Sequence, residues 1–304
     1  MKKDLLNLWR NNMNFNAELE RKIQAVDNSL KEYLKPRYPE IIFEAMGYSL
    51  FAGGKRLRPV LMLSACEAEG GNEAEVMPFA CALEMIHTYS LIHDDLPEMD
   101  NDDFRRGKPT CHKQFNQGIA VLAGDGLLTY AFEVMLKKAV ESFDSKYVGA
   151  AETIARLSGS EGMLVGQVVD VTSEGKQIDN KTLDYIHKNK TGGLIKAALI
   201  SGATIAGADR ERLAKYEMMG DKLGLAFQIM DDILDVTSTQ EILGKPVFSD
   251  EKNDKVTYVS MYGMDKARQD YFNLCADVNE LACKLGGKEG FLALYCESLV
   301  NRVK

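Results

Sequence analysis

The sequence predicts one all-α domain, and three observations carry that prediction. Apolar residues recur at three- and four-residue spacing along nearly the whole chain. One such face runs Val76, Ala80, Leu83, His87, Ser90, Asp94. No run of strict alternation suggests a strand. Prolines are few, seven in all, and most fall between the periodic segments: Pro36, Pro39, Pro59, Pro97, Pro109 and Pro246.

Taken in order, helices are expected near residues 15–34, 40–50, 58–68, 75–96, 118–141, 146–167, 181–206, 210–237, 255–285 and 288–302. The helix over 58–68 follows a glycine-opened turn at Gly53 and Gly54. The helix over 75–96 is stopped by Pro97, which disfavours helical geometry at Leu96. Gly192 and Gly193 interrupt the segment 181–206, and glycines there cost about 1 kcal/mol each relative to alanine, so they have a reason to be present. There is no low-complexity linker and no solenoid repeat. Residues 1–14 read as a poorly ordered extension, and 15–304 as the domain.

Composition narrows the function. The chain has 304 residues with 45% hydrophobic and 27% charged side chains, ordinary for a soluble globular protein. Its net charge of −8 argues against a nucleic-acid partner, so an anionic ligand would have to be held by local cations and metal. The start, MKKDLLNLWR, lacks the apolar region of a signal peptide. The apolar stretch from Gly192 to Ala208 is interrupted by Lys196 and falls short of the roughly 20 residues of a membrane span. Six cysteines are scattered without a CxxC, which reads as reduced, buried thiols and a cytoplasmic setting.

The chemistry points to two acidic clusters, DDLPEMD at 94–100 and DDILD at 231–235, each ending a long apolar helix. Carboxylates facing one cavity repel unless cations lie between them. Hard oxygen ligands with no accompanying Cys or His spacing favour Mg²⁺ and a phosphorylated substrate. Asp231 and Asp235 stack on one helix face, joined by Gln228, with Asp232 about 100° around. A solvated acidic face is the competing reading; the neighbours Phe227, Ile229, Met230, Ile233 and Leu234 weigh against it.

Cations lie nearby in sequence. Arg105 and Arg106 follow the first cluster, and Arg forks onto phosphate oxygens. Lys55, Arg56 and Arg58 follow the Gly53-Gly54 turn, which suits an anion without being a P-loop. His87 shares a helix face with Asp94 and is either a core histidine or a ligand contact; His93, His112 and His187 read as core.

Taken together, these stretches resemble the short-chain trans-prenyl diphosphate synthases, most closely the bacterial farnesyl-forming branch. The matching motifs are GGKRLRP at 53–59, HTYSLIHDDLPEMDNDDFRRGKPTCHK at 87–113, GQVVD at 166–170, KTGGL at 190–194, FQIMDDILD at 227–235 and GKP at 244–246. The resemblance implies an antiparallel helical bundle around a central cavity, and a homodimer. It implies about three Mg²⁺ per site, with Asp94, Asp95 and Asp100 on one side and Asp231, Asp232 and Asp235 on the other. By the same resemblance Arg105, Lys190 and Lys245 would hold an allylic diphosphate (dimethylallyl or geranyl). Gly54, Lys55, Arg58, His87 and Arg106 would serve the isopentenyl diphosphate side, with Thr191 and Gln228 beside the forming cation. Apart from the resemblance, Lys245, Asp250 and Lys255 cluster after the second acidic helix, in a loop that could fold over the site and place Lys255 at the substrate. Two positions depart from the family: Phe248 replaces a usual glycine, and Glu98 lies where a small or neutral residue is common.

Chain length would be set by whatever blocks the tail growing down the helix from Asp94. Tyr89, five residues earlier and about 7–8 Å along the axis, could form a floor beside the small Ser90, giving a C15 product. A deeper pocket would instead give geranylgeranyl diphosphate. A terpene cyclase would not need the GGKRLRP cations, and a non-catalytic subunit would be expected to lose carboxylates or arginines that are all present.

Overall fold

The structure, a computed structural model, describes residues 2–237 and 256–300, with side chains from residue 14. Lys245, Phe248, Asp250 and Lys255 lie outside the described residues.

The centre of the molecule is α4 (Glu73–Asp94), which is apolar nearly all round and buries residues on every face, from Val76 to Ile92. Asn72 opens it, its side chain accepting from the Ala74 N–H at 2.9 Å. Around it pack α1 (Lys2–Tyr33), α2 (Glu40–Leu50), α3 (Leu57–Ala68), α6 (Gln117–Ser142), α7 (Ser145–Ser158) and α10 (Gly192–Ile205). A second axis runs from α10 to α11 (Arg210–Thr237), then to α13 (Met264–Gly286) and α14 (Phe291–Val300). Both acidic segments therefore sit at the ends of long, well-buried helices. The expectation of an all-α fold holds.

The departures have local causes. The first helix begins at Lys2 rather than near residue 15. The single helix expected over 146–167 is two, α7 and α8 (Met163–Ser173), parted by the turn at Gly159–Gly162. The segment 181–206 holds α9 (Asn180–Ile186), a π-helical turn (His187–Thr191) and α10. Gly263, at φ 81°, divides α12 (Tyr258–Tyr262) from α13. Between α4 and the short α5 (Cys111–Gln114) lies an unexpected hairpin of β1 (Phe104–Arg105) and β2 (Lys108–Pro109). Its strands are too short to leave an alternating pattern.

By length and composition, α6 is the one described helix that could cross a membrane; here it packs against α4, α2, α5 and α7. All six cysteines are unpaired, and five are buried.

Candidate active site

The first acidic segment folds back on its own helix. The Asp100 N–H donates to the Asp94 carbonyl at 2.9 Å, which brings Asp100 beside the end of α4. Burial pushes the Asp94 carboxyl up to about 6; Lys190 opposes this shift and Asp100 adds to it. Gln167 Nε2 donates to Asp94 Oδ1 at 2.6 Å. Asp95 is buried and holds Arg105, which donates from Nε at 2.7 Å and from a terminal nitrogen at 2.5 Å. The two neighbouring aspartates thus have different tasks: Asp94 reaches the cavity, and Asp95 fixes an arginine.

The hairpin turn supplies the next cation. Arg106 and Gly107 both have positive φ, the geometry of a two-residue hairpin turn that twists with its strands. This aims the Arg106 guanidinium at the Gly53-Gly54 loop, where it donates to the Gly53 carbonyl. A Cβ on Gly54 would lie 2.9 Å from that guanidinium, so glycine is what lets the loop and hairpin meet. Of the three cations after Gly54, Arg56 is structural. It is buried and bonds Asp27 at 2.7 Å, Glu84 at 2.8 Å and the Leu50 carbonyl at 2.9 Å.

Lys55, Arg58, His87, Arg105, Arg106, Thr191 and Asp231 line a cavity of about 710 Å³. Arg58 Nε is buried there without a protein partner. Burial lowers the Arg58 pKa to about 10, and Arg106 adds to the shift. Burial and the surrounding arginines, Arg58 foremost, hold His87 well below the usual histidine range, so the imidazole is neutral. Lys55, Arg58, Arg105 and Arg106 converging on one hollow make an anion site.

The opposite wall is built by α8, the π-helical turn and α11. Lys190 donates to Asp170 Oδ2 at 2.5 Å. Gly166 makes that approach possible, since a Cβ there would lie 2.2 Å from the Lys190 backbone nitrogen. The Thr191 hydroxyl donates to Gln228 Oε1 at 2.7 Å. On α11, Asp231 is exposed to the cavity, whereas Asp232 and Asp235 are buried. Asp232 accepts from Gln228 Nε2 at 2.9 Å and from the Tyr258 N–H at 2.6 Å. Asp100, Asp170, Lys190, Gln228, Asp231 and Asp232 line one adjoining hollow of about 190 Å³. The acidic ends of α4 and α11 meet there.

The donor set suits Mg²⁺. Among the described residues no group of three or more Asp, Glu, His or Cys side chains is close enough to cage an ion. Mg²⁺ characteristically takes one or two carboxylates and completes its shell with water and substrate phosphate. Below the acidic end of α4 a third cavity, about 310 Å³, is lined by Tyr89, Ser90, Leu91, His93, Met99, Met163 and Leu164, with Asp94 and Lys190 at its polar mouth. It fits an apolar tail attached to a charged head.

Gln167 and Asp170, which bond the candidate residues Asp94 and Lys190, were given no role by sequence reading. The signal was the i, i+3 spacing of the two polar residues in GQVVD, on one face of α8. His93, read as a core residue, donates from Nε2 to the Val121 carbonyl (3.1 Å) and also lines the apolar cavity. The glycines of KTGGL do not break the chain: they begin α10, and Gly193 lets it pass close to the turn before α8, while Gly224 on α11 lets that helix approach Gly192.

Residues 39–281 match the polyprenyl synthetase family model. The chain belongs to that family. It is 47% identical over 253 residues to farnesyl diphosphate synthase of Geobacillus stearothermophilus, covering 83% of this chain and 85% of that one. It is 41% identical to geranylgeranyl diphosphate synthase of Cyanophora paradoxa, covering 96% and 97% of the two chains. Among solved structures, an FPP/GFPP synthase from Zymomonas mobilis superposes with a TM-score of 0.83 at 32% identity, covering 96% of this chain and 99% of that one. The polyprenyl synthetase is therefore a short-chain prenyltransferase with the all-α isoprenoid synthase fold.

Proposed function

We propose that this enzyme condenses isopentenyl diphosphate with dimethylallyl and then geranyl diphosphate, releasing farnesyl diphosphate and diphosphate. The observation that carries the chain length is Tyr89: buried, on the wall of the apolar cavity, five residues or about 7.5 Å below Asp94. Asp94 and Asp100 on one side, and Asp231 and Asp235 on the other, would hold the Mg²⁺, three ions in all. When bound, Mg²⁺ supplies charge neutralisation that lets the allylic diphosphate leave.

The chain's own residues do the rest. Arg105, held rigid by Asp95, and Lys190, held by Asp170, clamp the allylic diphosphate, with Lys245 as a further cation. Lys55, Arg58, Arg106 and the neutral imidazole of His87 hold isopentenyl diphosphate, whose double bond attacks the cation. The departing diphosphate takes the proton released as the new alkene forms. The apolar walls around Tyr89 keep water from quenching the cation. Two protomers pair through α6, which leaves Leu122, Leu136 and Val140 exposed along one side.

Mg²⁺-dependent incorporation of labelled isopentenyl diphosphate, with dimethylallyl and geranyl diphosphate compared and products resolved by chain length, tests the reading. A C15 product is expected, and Tyr89→Ala should lengthen it. The C20 alternative has support in the 47% identity to a chloroplastic geranylgeranyl pyrophosphate synthase of Catharanthus roseus. A C20 product from the parent enzyme, or an unchanged product from the variant, rejects the Tyr89 floor.

A further inference from the structure

Four groups form an unbroken line from α12 to the cavity. The Tyr258 N–H, first in α12, donates to Asp232 Oδ2 at 2.6 Å. Asp232 Oδ1 accepts from Gln228 Nε2 at 2.9 Å. Gln228 Oε1 accepts from the Thr191 hydroxyl at 2.7 Å. Thr191 lines both the 710 Å³ cavity and the apolar one.

An ionised carboxylate can only accept, so the side of Gln228 that meets Asp232 must be its NH₂. The amide then has no choice but to present its oxygen to Thr191. Thr191 must donate its proton to that oxygen, which leaves only lone pairs on the side facing the cavity. A hydroxyl free to rotate would point its positive hydrogen into the cavity about as readily as its lone pairs. A half-buried amide caught between an acceptor and a hydroxyl cannot flip without breaking two bonds.

Resting on the prenyl-transfer reading, we propose that Asp232 and the Tyr258 backbone N–H are positioning groups that set the polarity of Gln228 and Thr191. The Thr191 oxygen is thereby oriented to stabilise positive charge developing on the substrate. Tyr258 is itself anchored. Its hydroxyl donates to Asp270 at 2.8 Å, its ring stacks on His187, and Thr257 caps the helix it begins. Asp232 so assigned acts through Gln228 and not by contact with the reacting carbon.

A charge-conserving exchange tests this. In Asp232→Asn the new amide can turn its NH₂ toward Gln228, which reverses Gln228 and turns the Thr191 hydrogen into the cavity. In Gln228→Glu two carboxylates face one another. In the double variant the new carboxylate at 228 accepts from both Thr191 and the new amide at 232. The oxygen of that amide still accepts from Tyr258, and Thr191 again donates. Each single variant should lower kcat about 10- to 100-fold with the KM for geranyl diphosphate within about threefold, as expected for a group acting on developing charge. The double variant should recover kcat to within about fivefold of the parent.

If Asp232 served only as a metal ligand, moving its carboxylate to position 228 would not help. A double variant no faster than Asp232→Asn overturns the proposal, as do single variants with unaltered kcat. A second pair isolates the backbone donor. Tyr258→Pro lacks the N–H, and proline is well tolerated at the first position of a helix; Tyr258→Ala keeps the N–H. The proline variant should be at least about tenfold slower in kcat than the alanine variant; equal rates overturn the role of that N–H. A parent enzyme without prenyl transfer would sink the proposed function instead, a failure these comparisons do not mimic.

Discussion

Lowering the pH from 7 to 5 should cost the folded protein about 2 kcal/mol through His187 alone. This imidazole is buried in the π-helical turn, its Nδ1 without a hydrogen-bond partner, and its ring lies 6.3 Å from that of Tyr258. Burial drives its pKa from 6.5 down to about 4, against a smaller opposing pull from Asp170. The folded pKa lies below the unfolded one, so between about 4 and 6.5 the unfolded chain binds more protons. Stability is thus fully present above pH 6.5, falls as the pH drops through that window, and stops falling below about 4. At about 1.4 kcal/mol per pH unit, the full gap is worth about 3 kcal/mol, and about two-thirds of it is lost by pH 5. Urea unfolding of the parent and of His187→Gln at pH 7, 6 and 5 isolates the effect, because the other titrating groups, Asp94 among them, cancel in the difference. The parent should lose about 2 kcal/mol more than the variant between pH 7 and 5. Parallel curves, agreeing within about 0.5 kcal/mol, would show that the histidine is not buried as described.

Three further outcomes follow from the packing. Gly166→Ala should drive a methyl into the Lys190 backbone, 2.2 Å away, costing about 1–3 kcal/mol in urea unfolding and slowing turnover as Lys190 and Asp170 part. Arg56→Ala should cost about 3–5 kcal/mol, because it strands buried Glu84, whereas Lys55→Ala should leave the unfolding midpoint nearly unchanged and raise the KM for isopentenyl diphosphate. Leu136→Glu combined with Val140→Glu should convert a dimer to monomers in sedimentation velocity; a parent that already sediments as a monomer rejects the α6 interface.

Much of the fold was readable because long apolar helices leave a strong period, and because Pro97 and the DDILD segment mark where two of them end. The breaks were harder to read. Gly159 and Gly162 flank a turn that apolar periodicity runs straight through, and a π-helical turn such as His187–Thr191 changes register without any distinctive residue. The hairpin was hidden by its brevity, although the Arg106-Gly107 pair was its local signal. In the site, residue type revealed which groups carry charge but not which of them are held by carboxylates of the protein itself. Lys55, Arg56 and Arg58 look alike in sequence, and only the distant partners Asp27 and Glu84 take Arg56 out of the set. Gln167 and Asp170 went without a role for the same reason: their partners lie on other helices.

Each doubled aspartate contains one outward and one inward member. Asp95 grips an arginine and Asp232 grips an amide and a main-chain nitrogen. An alanine scan across either segment would score both members as indispensable and inflate the count of ion ligands. Titrating Mg²⁺ against each variant by calorimetry, rather than ranking residual rates, separates the carboxylates that touch the ion from those that only hold the walls upright.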